Sequence, residues 1–240
     1  MSRRRLFIPM LSCVAMFAAS TATAGVIMTG AIDGPLSGGL PKAIEFYVTA
    51  DGTDLSQYGF GSANNGGGSD GVEYIFSGTR NAGDFFYLAS EDNGVGGGGF
   101  EDFFGFAPDF DDGIDTGTGV SWSASINGDD ALELFHDAAG LFAGGETVVD
   151  VFGDINTDGT GEPWEHLDGW AYRNNLTGPD GSAFALGSWS FSGPNALDGE
   201  TTNGTAATPF PIGTYTDIPE PASLALMFAG LLGMACVRRG

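Results

Sequence analysis

Asp154, Asn156 and Asp158, followed at once by Gly159 and then by Glu165, have the spacing of a calcium-binding loop. A hard cation takes oxygen ligands. In such a loop positions 1, 3 and 5 converge on the ion, the position-7 carbonyl (Thr160) and a bidentate acid at position 12 (Glu165) complete the shell, and the glycine permits the turn. Three features depart from a helix–loop–helix site: the preceding residues read as a strand, Gly161 stands where an apolar residue is usual, and Pro163 disfavours a following helix. The same residues also suit a polar turn whose Asp and Asn side chains bond their own backbone. Calcium is the one cofactor suggested, with Asp154, Asn156 and Asp158 as leading ligands.

Other chemistry is sparse. Asp109, Asp111, Asp112 and Asp115 could gather a weaker ion or form a solvated loop. His136 follows an apolar run and reads as a strand end, while His166 sits in a loop after Trp164-Glu165. A metal or triad site needs convergent partners, and no nucleophile–base pair is visible, so the expectation is a protein that is not an enzyme. Trp122, Trp164, Trp170 and Trp189 could form a carbohydrate platform, although burial is the commoner fate of such residues. Asn175-Leu176-Thr177 and Asn203-Gly204-Thr205 have the N-glycosylation pattern.

Both ends of the chain read as addresses. Arg3-Arg4-Arg5, an apolar run from Leu6 to Ala19, and Ala22-Thr23-Ala24 before Gly25 have the order of a signal peptide with its cleavage site. At the other end Pro219-Glu220-Pro221 precedes an apolar run, Ala222 to Val237, and then Arg238-Arg239. The prolines favour extended backbone, which a protease can grip. The run, as a helix, would span about 24 Å, short of a hydrocarbon core of roughly 30 Å. Positive-inside bias places the arginines in the cytoplasm and the tripeptide outside. This segment resembles the PEP-CTERM signal of Gram-negative bacteria. The resemblance implies export, transient residence in the inner membrane and processing near the tripeptide by an exosortase.

The chain carries 8 basic and 31 acidic residues, a net charge of −23. Setting aside the five terminal arginines and Glu220 leaves Lys42, Arg80 and Arg173 against 30 acids, or −27. Such a field repels phosphate backbones, so nucleic acid is excluded as a partner. Cys13 and Cys236 both lie in the terminal segments. The outer domain therefore has no disulfide and depends on a packed core.

Between the ends, short apolar runs alternate with Gly, Asn, Asp and Pro clusters. They predict strands at Val26 to Ile32, Lys42 to Thr49, Val72 to Phe76, Phe85 to Ala89, Phe103 to Phe106, Val120 to Ile126, Ala131 to Phe135, Thr147 to Phe152, Trp170 to Tyr172 and Ser188 to Phe191. Asn127-Gly128 predicts a hairpin turn between two of them. The expected fold class is all-β, an antiparallel β-sandwich flanked by an N-terminal signal helix and a C-terminal transmembrane helix. Residues 201–217, rich in Thr, Ala, Pro and Gly, read as a stalk to the membrane.

Four blocks in order resemble a bacterial lamin tail domain: Lys42-Ala43-Ile44-Glu45-Phe46-Tyr47 with Asp54 to Tyr58; Asn127 to Leu134; Val148 to Gly153 with Trp164; and Gly187-Ser188-Trp189 with Asn195 to Gly199. The resemblance covers 25–200 and implies an immunoglobulin-like sandwich. It departs from that family in the Gly/Asp-rich stretch from Glu91 to Gly119. The organisation expected is thus a signal peptide over 1–24, the sandwich over 25–200, the stalk over 201–217 and the sorting signal over 218–240. Two functions fit: a structural or adhesive protein of the surface or exopolysaccharide matrix, or a secreted module that binds glycan or a partner with calcium-stabilised loops.

Overall fold

A computed structural model describes residues 25–90, 99–111 and 124–217. The described residues form twelve strands: β1 Val26–Leu36, β2 Leu40–Val48, β3 Thr53–Asp54, β4 Tyr58–Ala63, β5 Tyr74–Ile75, β6 Thr79–Arg80, β7 Phe85–Ala89, β8 Phe110–Asp111, β9 Ala131–His136, β10 Thr147–Phe152, β11 Gly169–Arg173 and β12 Trp189–Phe191. Six make one open sheet in the order β12-β11-β1-β2-β7-β8, four make a second in the order β10-β9-β4-β5, and β3 pairs with β6.

The two larger sheets share one core. In β2 the period of two sends Ile44, Phe46 and Val48 inward. There Phe46 stacks on Phe86 with centroids 4.9 Å apart and meets Phe76 edge-on at 5.1 Å. Each buried phenylalanine contributes about 1.5–3 kcal/mol. Arg173 of β11 and Asp150 of β10 bind across the sheets: Nη2 donates to both carboxylate oxygens at 2.7 and 2.8 Å, and both side chains are fully buried. The guanidinium also donates to Met28 O and Asp180 and lies 4.4 Å from the Trp189 ring.

The opposite face of the six-stranded sheet is buried as well. Ile27, Ile32, Ala43 and Tyr172 lie under Phe100 and Phe103 of a short helix, α1 Phe100–Phe104, and under Leu197, Phe210 and Tyr215. A sheet covered on both faces needs strands that are apolar on both sides. That explains the unbroken burial of Val26 to Gly34 in β1.

Several expectations are corrected. Phe103 to Phe106 is not a strand: Phe103 and Phe104 belong to α1, which Gly105 ends in the left-handed conformation at φ 83°. The sheets are not wholly antiparallel, because β8 runs parallel to β7. Asn127-Gly128 does not turn a hairpin. Neither residue has the positive φ that a type I′ turn requires. Instead Gly128 lies against the backbone of His166 and Leu167 and donates to Asp33 Oδ2 at 3.1 Å. The strand that follows, β9, pairs with β4 and β10. Residues 201–217 do not stand off as a stalk, since Phe210 and Tyr215 are buried in the domain.

Among the described residues no helix is long and apolar enough to cross a membrane. The expected signal helix and the expected span from Ala222 to Val237 lie outside those residues.

Candidate functional site

The most elaborate polar site binds the end of the domain to its centre. Glu45 follows Ile44 in β2, so the strand's alternation points it away from the inter-sheet core, yet it is 1 % exposed. Its Oε1 accepts from Thr29 Oγ1 at 2.8 Å and from the Tyr172 hydroxyl at 2.7 Å. Its Oε2 accepts the Gly213 backbone N–H at 2.6 Å. Burial pushes the carboxyl up to about 7, against the opposing pull of the bonds from Gly213, Tyr172, Thr29 and Tyr87. Burial and the nearby Glu45 charge raise the Tyr172 and Tyr87 phenols as well.

Residues 203–216 form a strap over this site. Asn203 brackets Phe210, accepting from its N–H at 2.7 Å and donating to its carbonyl at 3.0 Å. The Phe210 ring fills the space that Gly30 leaves open, with its centroid 5.3 Å from that of Tyr172. The Tyr172 hydroxyl accepts from Thr214 N and Tyr215 N, both at 3.0 Å. Tyr215 packs edge-on against Tyr47 at 5.2 Å and donates its hydroxyl to Thr177 O at 2.7 Å. Finally Thr216 N donates to Asn175 Oδ1 and Thr216 O accepts from Leu176 N, both at 2.9 Å. The strap is secured up to its last residues by side chains and turns, without joining a sheet.

The loop proposed for calcium is exposed and folded on its own bonds. Asp154 accepts from Asn156 N and Thr157 Oγ1 at 3.0 Å each, Asp158 from Thr160 N at 2.9 Å, and Glu165 from Gly161 N at 2.9 Å. These bonds hold the Asp154 and Asp158 carboxyls below the usual range. Thr160 donates its hydroxyl to Asp129 at 2.9 Å. Among the described residues no group of three or more His, Cys, Asp or Glu side chains is placed to hold a metal.

The other candidates take structural positions. Asp109 pairs with Arg80 at 2.9 Å and caps Tyr87 N at 3.1 Å, whereas Asp112 and Asp115 lie outside the described residues. His166 lies in the loop between β10 and β11 and is fully buried there, and its Nδ1 lies 3.2 Å from Trp164 O. Burial lowers its pKa and holds it neutral. His136 ends β9 and packs against Tyr58. Trp164 and Trp189 are core residues, the Trp170 indole donates to Thr208 O at 2.8 Å, and Trp122 lies outside the described residues. Asn175-Leu176-Thr177 bonds the end of the strap, and Asn203-Gly204-Thr205 is the strap's own first turn. Of the signal-cleavage residues only Gly25 is described; its N–H donates to the Tyr58 hydroxyl at 2.9 Å.

Sequence reasoning missed the Glu45 site. The available signals were a lone acid inside Lys42 to Val48 and the two aromatics, Phe210 and Tyr215, in a segment otherwise read as a stalk.

Residues 217–239, beginning one residue beyond the strap, match the PEP-CTERM protein-sorting motif. No curated protein and no solved structure matches the chain.

Proposed function

We propose that this protein is a non-enzymatic component of the cell surface or extracellular polymer layer, delivered as a folded β-domain and processed by an exosortase. The observation that carries the reading is the sorting motif over 217–239, which implies export and recognition by the processing enzyme. Pro219, Glu220 and Pro221 supply the recognised tripeptide. The apolar run holds the chain in the inner membrane, and Arg238-Arg239 stop it there.

A structural or adhesive role is supported by how the described residues are used. Buried polar and charged groups serve cross-sheet and strap bonds, as in Glu45–Gly213 and Arg173–Asp150. The three described tryptophans serve packing or an internal hydrogen bond rather than an open sugar platform. The bacterial lamin tail assignment belongs to the same proposal. Its blocks occupy β2, the turn into β9, β10 and the entry to β12, and two open sheets around one core are compatible with an immunoglobulin-like sandwich.

Changing Pro219-Glu220-Pro221 to three alanines in the native host tests the delivery. Accumulation of the unprocessed chain in the inner membrane is the expected result, and unaltered surface delivery would refute it. A glycan array tests the role: saturable, sugar-competed binding would move the assignment to a binding module.

A further inference from the structure

The strap leaves almost no slack before the sorting signal. Thr216 is bonded at both backbone groups, and only Asp217 and Ile218 separate it from Pro219. Two extended residues reach at most about 7 Å. The polar layer on each side of the hydrocarbon core is itself roughly 5–7 Å deep. With the strap docked, the five residues 217–221 before the apolar run reach at most about 18 Å, so a domain of net charge −27 stays close to the membrane surface. A protease reading an extended tripeptide needs backbone on both sides of it. Released, residues 203–216 would add about 46–50 Å of reach.

The way the strap is held allows that release. Three consecutive backbone N–H groups, of Gly213, Thr214 and Tyr215, converge on two side chains, Glu45 and Tyr172. One ring, Phe210, occupies a notch over Gly30, and one phenol, Tyr215, bonds Thr177 O. None of these is a rung of a β-ladder. Undocking therefore breaks a local set of contacts while the sheets stay paired, as in sub-global opening.

We propose that residues 203–216 are a releasable spacer: docked on Glu45 and Tyr172 they leave only two residues between the domain and the sorting tripeptide, and their release presents it to the processing enzyme. This rests on the sorting function proposed above.

The test follows processing of the full chain in its native host by pulse-chase. The parent, Tyr215→Phe and Phe210→Ala are compared, each with and without ten Gly/Ser residues inserted after Asp217. Tyr215→Phe loses one part-buried hydrogen bond, so processing about fivefold faster is expected at native length. Phe210→Ala is expected to process at least as fast, and the insertion to raise every chain to one common rate. Equal rates at native length, with hydrogen exchange reporting a loosened strap in the variants, would overturn the spacer alone. If Phe210→Ala loses protection in β2, it has damaged the fold and Tyr215→Phe decides. No shortened form in any chain would refute the sorting function itself, and the spacer with it.

Discussion

Glu45, in the middle of the six-stranded sheet, and Gly213, 168 residues later, are joined by a 2.6 Å hydrogen bond from a backbone N–H to a buried carboxylate oxygen. The bond ties the strap to the strand that carries both cores, since Phe46 beside Glu45 belongs to the inter-sheet cluster and Ala43 to the cluster beneath the strap. Thr29 and Tyr172 satisfy the other carboxylate oxygen.

This site makes stability depend on pH in a defined direction. The Glu45 carboxyl titrates at about 7 in the folded protein and near 4.5 otherwise. The folded state binds the proton more tightly, so the contribution is full below pH 4.5 and is lost as pH rises through 7. The difference is on the order of 3 kcal/mol. The proton can sit on Oε1 facing Thr29, which leaves Oε2 to accept from Gly213. Urea midpoints at pH 5 and pH 8 should fall more for the parent than for Glu45→Gln. Equal falls would contradict the assignment.

Arg173 is the electrostatic bolt between the sheets. Arg173→Met leaves Asp150 buried without its cation and should cost about 3–5 kcal/mol by chemical denaturation. Removing Asp150 as well, in the pair with Asp150→Leu, should not restore stability. Asp150 also accepts from Met28 N at 3.0 Å, Val151 N at 3.1 Å and Asp180 N at 2.9 Å, and those donors would be orphaned. Recovery to parental stability would show that these backbone bonds contribute little.

Gly30 is the notch for the strap. A Cβ there would fall 2.5 Å from Phe210 Cζ and 2.9 Å from Tyr172 Cδ2, so the Phe210 ring must move. Gly30→Ala should raise hydrogen exchange at Gly213, Thr214 and Tyr215 while β9 and β10, in the other sheet, keep their protection. Unchanged exchange in the strap would mean that the ring is accommodated without undocking.

The Asp154 loop can accept calcium only by turning its oxygens from their own N–H and O–H donors toward an ion. That competition predicts weak affinity, with Kd about 10⁻⁴–10⁻³ M or weaker. Calorimetric titration of the parent and of the double variant Asp154→Ala, Asp158→Ala checks it. Heat confined to the parent in that range fits the loop as folded, and micromolar binding would require a different arrangement.

The strands legible in the sequence were those with dense β-formers and clear borders. Phe85 to Ala89 and Thr147 to Phe152 have the expected bounds. The sequence reading assigns no strand to β4, whose Gly59 and Gly61 dilute the pattern. The structure explains them: side chains there would collide with Val72 and with the backbone of Gly71, which pack against β4. Phe103 to Phe106 is apolar enough for a strand, but Gly105 at positive φ closes a helical turn instead. The strap was hidden for a different reason. Composition averaged over residues 201–217 describes a stalk, and it takes two aromatics, placed by a distant glycine and a distant acid, to fold it back. The calcium spacing was plain in the sequence, whereas the local bonds that occupy its carboxylates depend on backbone turns that spacing does not specify.

The most direct test of delivery by the sorting motif is the intact mass of the protein recovered from the cell surface or matrix. Processing predicts a chain that starts at Gly25 and ends near Glu220, with the Ala222–Val237 run removed. A surface form that retains residues 222–240 would contradict it and make the tail a permanent anchor.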